Sequence, residues 1–460
     1  MKEVVSVAGD TEVYLVGGAL RNLALGVPAA PDYDFAVKDD IAAFAAEVAA
    51  RLGGAHFALD AEAGVFRVVL KDGAKVTLDF TPLSPGGIDE DLGKRDFTVN
   101  AMAIPARSLF SPGSLPIDPF GGIEDARRRV IKAVSETVFD EDPLRMLRAV
   151  RLSRQYYLDI TPDTFSLIKK KAGLIGKSSP ERIRDEITEL FLANGTAEGI
   201  ELLYGTGLVN EILPEISGWA SVQGYDLLRH TLATLKEAES LLAGLSQYTF
   251  PGFSERLREY FQRSEGQLSN LCIFKLAAFF HDFGKPYAIS REEGRLTFIG
   301  HDTKGAEGIK GLFQRLRFSR KTVNDLSFFI KNHHRVFMLA ALKERSFRAK
   351  GHYFRASGSS GGLMLLCLAL ADARATRGSE DAELYSVVLD MMSFYYGVYT
   401  KKKPKPLLTG QEIMDTFGVA EGPLVGEIIG ELNSRVEQGL IRTKREAKSH
   451  IRKWLKERDL

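Results

Sequence analysis

The chain opens with short runs in which apolar and polar residues alternate, and only later settles into helical periodicity. Glu12–Val16 and Asp32–Val37 read as strands, Ala19–Leu25 as a short helix and the alanine-rich Asp40–Leu52 as a longer one. Val65–Leu70 and Lys75–Phe80 alternate with period two around Asp72-Gly73, a hairpin signature. The first 135 residues are therefore expected to form an α+β head, a mixed sheet with helices. From Asp140 onward the pattern predicts an all-α remainder, with Gly/Pro interruptions at Lys177–Pro180, Gly205–Pro214 and Pro251. Lys401–Pro406 (KKKPKP) reads as a linker ahead of a last helical segment.

A chain of 460 residues implies several domains. The formal net charge is only +1, so affinity for a nucleic acid has to come from local patches. Cys272 and Cys367 sit in apolar runs and are expected as buried thiols of a reducing compartment. The N-terminus carries Glu3, Asp10 and Glu12 and has no long apolar core, unlike a secretory signal. The run Leu363–Ala371 is too short to span a bilayer. A cytoplasmic location without membrane contact is the expectation.

Chemistry enters at VYLVGGALRNLALG, which runs strand, Gly17-Gly18, helix. A glycine pair at such a turn lets backbone N–H groups approach a phosphate, and Arg21 adds a fork of donors. By itself such a turn is structural more often than not. In PDYDFAV, Asp32 and Asp34 lie two apart on a strand, so both carboxylates face one way. Hard oxygen ligands so placed suit Mg²⁺ and phosphoryl transfer to a hydroxyl, against the plain alternative of a solvated turn. Asp79, in VTLDF, is a candidate third carboxylate or an ordinary edge-strand acid.

These residues, followed in order by KRDFTVNAMA and EDPLRMLRAVRLSRQ, resemble the class II tRNA nucleotidyltransferase and poly(A) polymerase family over essentially the whole chain. The resemblance implies that Asp32, Asp34 and Asp79 are catalytic, with Asp32 and Asp34 holding Mg²⁺. It implies nucleotide contacts at Gly17, Gly18, Arg21 and Arg95, with Asp96 and Asn100 beside them. Asp142, Arg145 and Arg148 complete the implied nucleotide site. Asn22 stands where the family usually carries aspartate, which removes a charge beside Arg21. SPERIRDEITELF (Ser179–Phe191) resembles the family's next helical motif, with Ser179-Pro180 an ordinary helix start. The segment after Pro406 resembles its RNA-facing tail.

Base choice has a physical reading. Asp142 and Arg145 stand i and i+3 on a helix that Pro143 would begin, so they share a face. A carboxylate only accepts and a guanidinium only donates. Cytosine and adenine present an amino donor beside a ring-nitrogen acceptor; guanine and uracil present the opposite polarity. An Asp–Arg pair fits the former and leaves unpaired groups against the latter. The alternative is that Asp142 merely caps the helix. Arg145, Arg148, Arg151 and Arg154 form a cationic stripe suited to phosphates, or else a solvated face.

A second constellation lies further on. His230, then His281-Asp282, then Asp372 fall in helical contexts, Asp372 just after an apolar helix. Their order resembles HD phosphohydrolases and implies a divalent transition metal on these four, with His301 and His333 as ligands of a second. Residues 1–135 would then be the nucleotidyltransferase head and 136–215 a helical neck binding nucleotide and RNA. Residues 216–400 would be the HD metal domain and 401–460 the C-terminal segment.

The leading expectation is a template-independent enzyme that adds CCA, or only CC, to the tRNA 3′ end. It would use CTP, with ATP for a terminal adenosine, and release pyrophosphate. A bacterial poly(A) polymerase shares every motif, and an HD phosphohydrolase with a nucleotide-binding head is the rival of another class. No protein partner is deducible. One feature favours CC alone: the link FTPLSPGGIDEDLGK between Asp79 and Arg95 is short, where the resemblance implies a longer flexible loop in members adding all three nucleotides; the alternative is that other loops do the switching and the short link is neutral. Re-aiming one base-reading pair from pyrimidine to purine needs a moving lever.

Overall fold

The computed structural model describes every residue except 29–30, 71–75, 246–251, 265, 293–294, 359–360, 402–406, 438–439, 442, 457 and 459–460. The Asp72-Gly73 turn, Pro251 and all but the first residue of the KKKPKP linker lie outside the described residues. The chain divides into two compact units, Met1–Gly218 with Arg315–Phe318, and Trp219–Gln314 with Ser319–Leu460.

The first unit begins with α1 (Lys2–Ala8), β1 (Val13–Val16), α2 (Gly18–Leu25), β2 (Asp32–Val37) and α3 (Ile41–Leu52). Next come β3 (Ala55–Asp60), β4 (Val65–Val69), β5 (Thr77–Pro82), α4 (Ile88–Gly93) and β6 (Ala103–Pro105). The strands form one mixed sheet in the order β3-β4-β5-β2-β1-β6. β2 is antiparallel to β1 and parallel to β5, a register that sets Val16 opposite Asp34 and Asp34 opposite Asp79. Period two then separates two faces. Phe35 and Phe80 point into the main core, stacked at 5.4 Å and fully buried, with Phe44 of α3 edge-on. Asp34 and Ala36 take the other face, above a smaller cluster of Val16, Leu92, Ala101 and Ala103. A large apolar core on one side thus leaves the carboxylates on a face that only part of the molecule covers. Asp40 caps α3 by accepting from Ala43 N–H at 3.1 Å.

Helices follow: α5 (Gly122–Arg127), α6 (Val138–Glu141), α7 (Leu144–Gln155), α8 (Pro162–Lys171), α9 (Pro180–Leu192), α10 (Thr196–Thr206) and α11 (Leu208–Ile212). A two-residue parallel pair, β7 (Val130–Ile131) with β8 (Asp159–Ile160), joins the segment before α6 to the segment after α7. Pro180 starts α9 behind the cap Ser179, as its sequence predicts.

The second unit is helical: α12 (Leu227–Gly244), α13 (Ser254–Gln262), α14 (Asn270–Phe280), α15 (His301–Arg315), α16 (Arg320–Asn332), α17 (Arg335–Ala340), α18 (Phe347–Ala356), α19 (Gly361–Arg377) and α20 (Ala382–Phe394). A small hairpin, β9 (Ser290–Glu292) and β10 (Arg295–Thr297), precedes α15. The last helices, α21 (Gly410–Phe417), α22 (Pro423–Glu437) and α23 (Lys444–Lys456), close a separate core around Ile413, Ile428, Leu432 and Ile451. Among the described residues no single helix is long and apolar enough to cross a membrane. Cys272 and Cys367 are both buried.

The α+β head and all-α remainder hold, with local corrections. The helix expected to begin at Pro143 begins at Leu144, and Asp142 precedes it with extended backbone, φ −142 and ψ 98. Asp372 lies inside α19 rather than after it. β5 is described from Thr77, Lys75 of its expected range lying outside the described residues, and runs on to Pro82, so the short link is shorter still.

Candidate active site and metal cluster

Gly17 has φ 72 and ψ −133, a region open essentially to glycine. A Cβ there would meet Arg95 Nη1 at 3.1 Å and Asp34 Oδ2 at 3.3 Å, so the turn is glycine for both conformation and space. The turn opens onto a cavity of about 420 Å³. Six cations line it, Arg21, Lys94, Arg95, Arg145, Arg148 and Arg151, against three acids, Asp34, Asp91 and Asp96. A polyanion such as a triphosphate suits this surplus.

Asp34 is mostly buried, and burial raises its proton affinity; Arg95 opposes that while Asp79 and Asp32 add to it. Asp32 accepts from the Thr77 hydroxyl. Asp79 is engaged differently: Arg67 on β4 forks onto it, Nε to Oδ1 and Nη2 to Oδ2, both at 2.7 Å. Three acids within mutual repulsion, only one of them closed by a guanidinium, make a site whose charge a cation would balance.

Arg21 is a buried strut. Its Nε and Nη2 donate to Asn22 Oδ1 at 3.2 and 3.0 Å, Nη1 to Asn100 Oδ1 at 2.8 Å and Nη2 to Tyr156 Oη at 2.7 Å. Its Cζ stands 4.2 Å from the Tyr156 ring centroid. Asn22 therefore does orient Arg21 without a charge. Burial lowers the Arg21 pKa. Asp96 accepts from Phe97 N–H and Asn100 Nδ2, each at 2.8 Å, and faces Arg148 Nη1 at 3.4 Å. Arg95 pairs with Asp91 at 3.1 Å.

α7 supplies the far wall. Arg145 lines the cavity, donating through Nη2 to Lys94 O at 2.7 Å. Arg148 and Arg151 also line it, both held from behind by Glu186 at 3.0 and 2.6 Å. Arg154 corrects the expected stripe: it turns away to Leu158 O at 3.4 Å and is not part of the wall. Asp142 is not a lining residue either. It stands three positions ahead of Arg145, forked by Arg182, and accepts from Leu144 N–H at 3.2 Å. Asp142 thus braces the first turn of α7 through Leu144, and of the expected base-reading pair Arg145 alone lines the cavity. Arg67, Tyr156, Arg182 and Glu186 had no role assigned from the sequence, because each acts across strands or helices that spacing does not join; Arg151 belongs to the expected cationic stripe, and Lys94 lies within a quoted motif.

The second unit gathers the other constellation. His230 lies on α12, His281 caps α14, His301 opens α15, His333 caps α16 and Asp372 lies on α19. His230 Nε2 stands 3.2 Å from His281 Nε2, 3.1 Å from Asp282 Oδ2 and 3.4 Å from Asp372 Oδ1. His301 Nε2 stands 3.2 Å from Asp282 Oδ1, 3.4 Å from His333 Nε2 and 3.2 Å from His334 Nε2. The Nδ1 atoms of His281, His301 and His333 face the carbonyls of Ala278, Phe298 and Ile330 at 3.0, 2.7 and 2.6 Å. Donation there fixes the tautomer that turns each Nε2 lone pair inward. Converging lone pairs cannot satisfy one another, so the donor set fits a divalent metal. His334 is a donor that sequence reasoning missed, although the His333-His334 doublet could have signalled it. Asp282 is held well below the usual carboxylate range by the surrounding histidines, against its burial. The Lys285 ammonium meets it at 2.6 Å.

Comparison with known proteins agrees with this geometry. Residues 13–132 match the poly A polymerase head domain, 158–220 the probable RNA and SrmB-binding site of polymerase A, and 227–376 the HD domain. An A-adding tRNA nucleotidyltransferase of Deinococcus radiodurans is 33% identical, the match covering 96% of this chain and 95% of that protein. A CC-adding tRNA nucleotidyltransferase of Thermus thermophilus is 31% identical over 96% of this chain and 94% of its own length. In fold, the chain is similar to an apo CCA-adding enzyme, with a TM-score of 0.60 at 18% identity, over 98% of this chain and 92% of that one. With relatives matched along nearly their whole length and a cationic cavity that Asp34 lines, the chain belongs to the tRNA nucleotidyltransferase family.

Proposed function

We propose that this enzyme adds two cytidylates to the 3′ end of tRNA from CTP and stops there. The observation that carries the reading is the way the short link is fastened. Glu90 on α4 accepts from Gly86 N–H at 2.8 Å and pairs with Lys94. Lys94 Nζ donates to Ser84 Oγ at 3.2 Å, while the Lys94 carbonyl accepts from Arg145 at 2.7 Å. One continuous set of bonds thus joins the link to the arginine that would meet the base. A pocket so tied has no free lever with which to change from pyrimidine to purine.

Enzymes of this class use a divalent metal. Asp32 and Asp34 would hold Mg²⁺, which when bound supplies activation of the 3′-hydroxyl and charge stabilisation at the leaving pyrophosphate. Arg95, Arg148 and Arg151 hold the triphosphate, with Arg21 bracing the turn at Gly17-Gly18. Asp142 accepts the cytosine amino proton and Arg145 donates to the ring nitrogen, so the chain itself serves as template. In the second unit His230, His281, Asp282 and Asp372 would hold a transition metal, with His301, His333 and His334 a further donor group. The four segments bounded at 135, 215 and 400 would serve as head, neck, HD domain and RNA-facing tail of a cytoplasmic enzyme.

A second reading, addition of the terminal adenosine alone, is favoured by the likeness to the Deinococcus protein. Offering each of the four nucleoside triphosphates separately to tRNA transcripts, with sequencing of the products, tests the proposal. Incorporation of cytidine is expected; incorporation of adenosine without cytidine would replace it by the second reading.

A further inference from the structure

Asp142 is the one base-reading group that no helix holds in place. Its backbone is extended, it precedes Pro143, and its side chain is fixed by three hydrogen bonds only. Leu144 N–H and Arg182 Nη1 donate to Oδ1, each at 3.2 Å, and Arg182 Nη2 donates to Oδ2 at 2.7 Å. A planar fork on both oxygens fixes the tilt and the rotation of a carboxylate together, which one point charge cannot do.

A carboxylate offers about four acceptor sites, so one, on Oδ2, is left. Arg145 gives Nη1 to Val138 O and Glu141 at 3.3 Å and Nη2 to Lys94 O at 2.7 Å. Its Nε–H has no protein partner among the described residues. One acceptor site on Asp142 and two donors on Arg145, Nε–H and the second Nη2–H, remain, and an amino group beside a ring nitrogen requires one of each. Arg182 itself is delivered by the first turn of α9, whose start is set by the Ser179 cap. One turn on, Glu186 of the same helix braces Arg148 and Arg151.

We infer that Arg182 is a positioning residue for nucleotide choice: its fork on Asp142 aims the last free acceptor of that carboxylate at the base. The inference rests on the reading of Asp142 and Arg145 as base contacts. α9 is then a back-plate that orients base-reading and phosphate-binding groups alike, without touching the nucleotide through Arg182.

The experiment is steady-state addition of CTP and of UTP to tRNA by the full chain, for the wild type, Arg182→Ala, Arg182→Lys, Asp142→Ala and the double alanine variant. For Arg182→Ala the preference for CTP over UTP is expected to fall roughly 10- to 100-fold. The fall should lie in KM more than in kcat, and the double variant should be no worse than Asp142→Ala. Arg182→Lys keeps the charge without the fork and should not restore the preference. It carries the same comparison if Arg182→Ala does not fold. Preference lost in Asp142→Ala but kept in both Arg182 variants overturns the positioning role while leaving base reading intact. Preference kept in Asp142→Ala overturns base reading, and the positioning role with it.

Discussion

At the scale of single residues, the site is built from groups whose neighbours are as informative as their identities. Asp34 is held in a half-covered cluster where burial and two nearby carboxylates disfavour its charge. Asp34→Asn keeps the shape and removes the proposed ligand of the cation, so nucleotide addition should fall about 10³-fold, a loss of roughly 4 kcal/mol at the transition state. Gel-shift affinity for tRNA should be unchanged; turnover within tenfold of wild type would contradict the assigned site. Gly17→Ala tests the turn. Its backbone region should cost about 1–3 kcal/mol, and the added Cβ would press on Arg95 and Asp34. Thermal melting and KM for CTP should both worsen; a melting change without a KM change would make the glycine merely conformational. Residue identities of this kind were legible in the sequence, because Gly-Gly, Asp-x-Asp and the arginines sit in short motifs. Their partners were not. Arg67 meets Asp79 only through the β4–β5 pairing, and Arg182 meets Asp142 from forty positions away.

Elements show the same division. β2 was readable from alternation, since Phe35 and Val37 face the core and Asp32 and Asp34 do not. β3 was not, because all six of its residues are exposed and no burial pattern marks them. α1 is one short apolar-faced helix of seven residues, too brief for periodicity to declare. Asp372 was placed after its helix because LALADARAT changes from apolar to polar there, whereas α19 continues to Arg377 with a solvated end. The link ahead of α4 is the element on which nucleotide choice is proposed to turn. Glu90→Ala removes the acceptor that Gly86 N–H and Lys94 share, so the link should loosen at its base. A small amount of adenosine incorporation after the second cytidine is expected from this variant, read by sequencing of tRNA ends. If the variant stays strictly cytidine-adding with an unchanged melting temperature, the fastening of the link is not what limits the pocket.

For the whole molecule, composition gave little: a net charge of +1 hides six cations gathered at one cavity. The two compact units carry separate chemistry, a transferase cavity in one and a histidine cluster in the other. His281→Ala should lower the transition-metal content of purified protein without stopping cytidine addition. Metal analysis by mass spectrometry checks this, and equal metal content in variant and wild type would refute the cluster as a metal site. The central claim concerns the reaction itself, and two tRNA substrates offered with CTP and ATP together test it most directly. On tRNA ending at the discriminator base the enzyme should add two cytidines and stop, and on tRNA already ending in CC it should add nothing. A single adenosine on the CC-ended substrate, or long adenosine tails on either, would contradict the account.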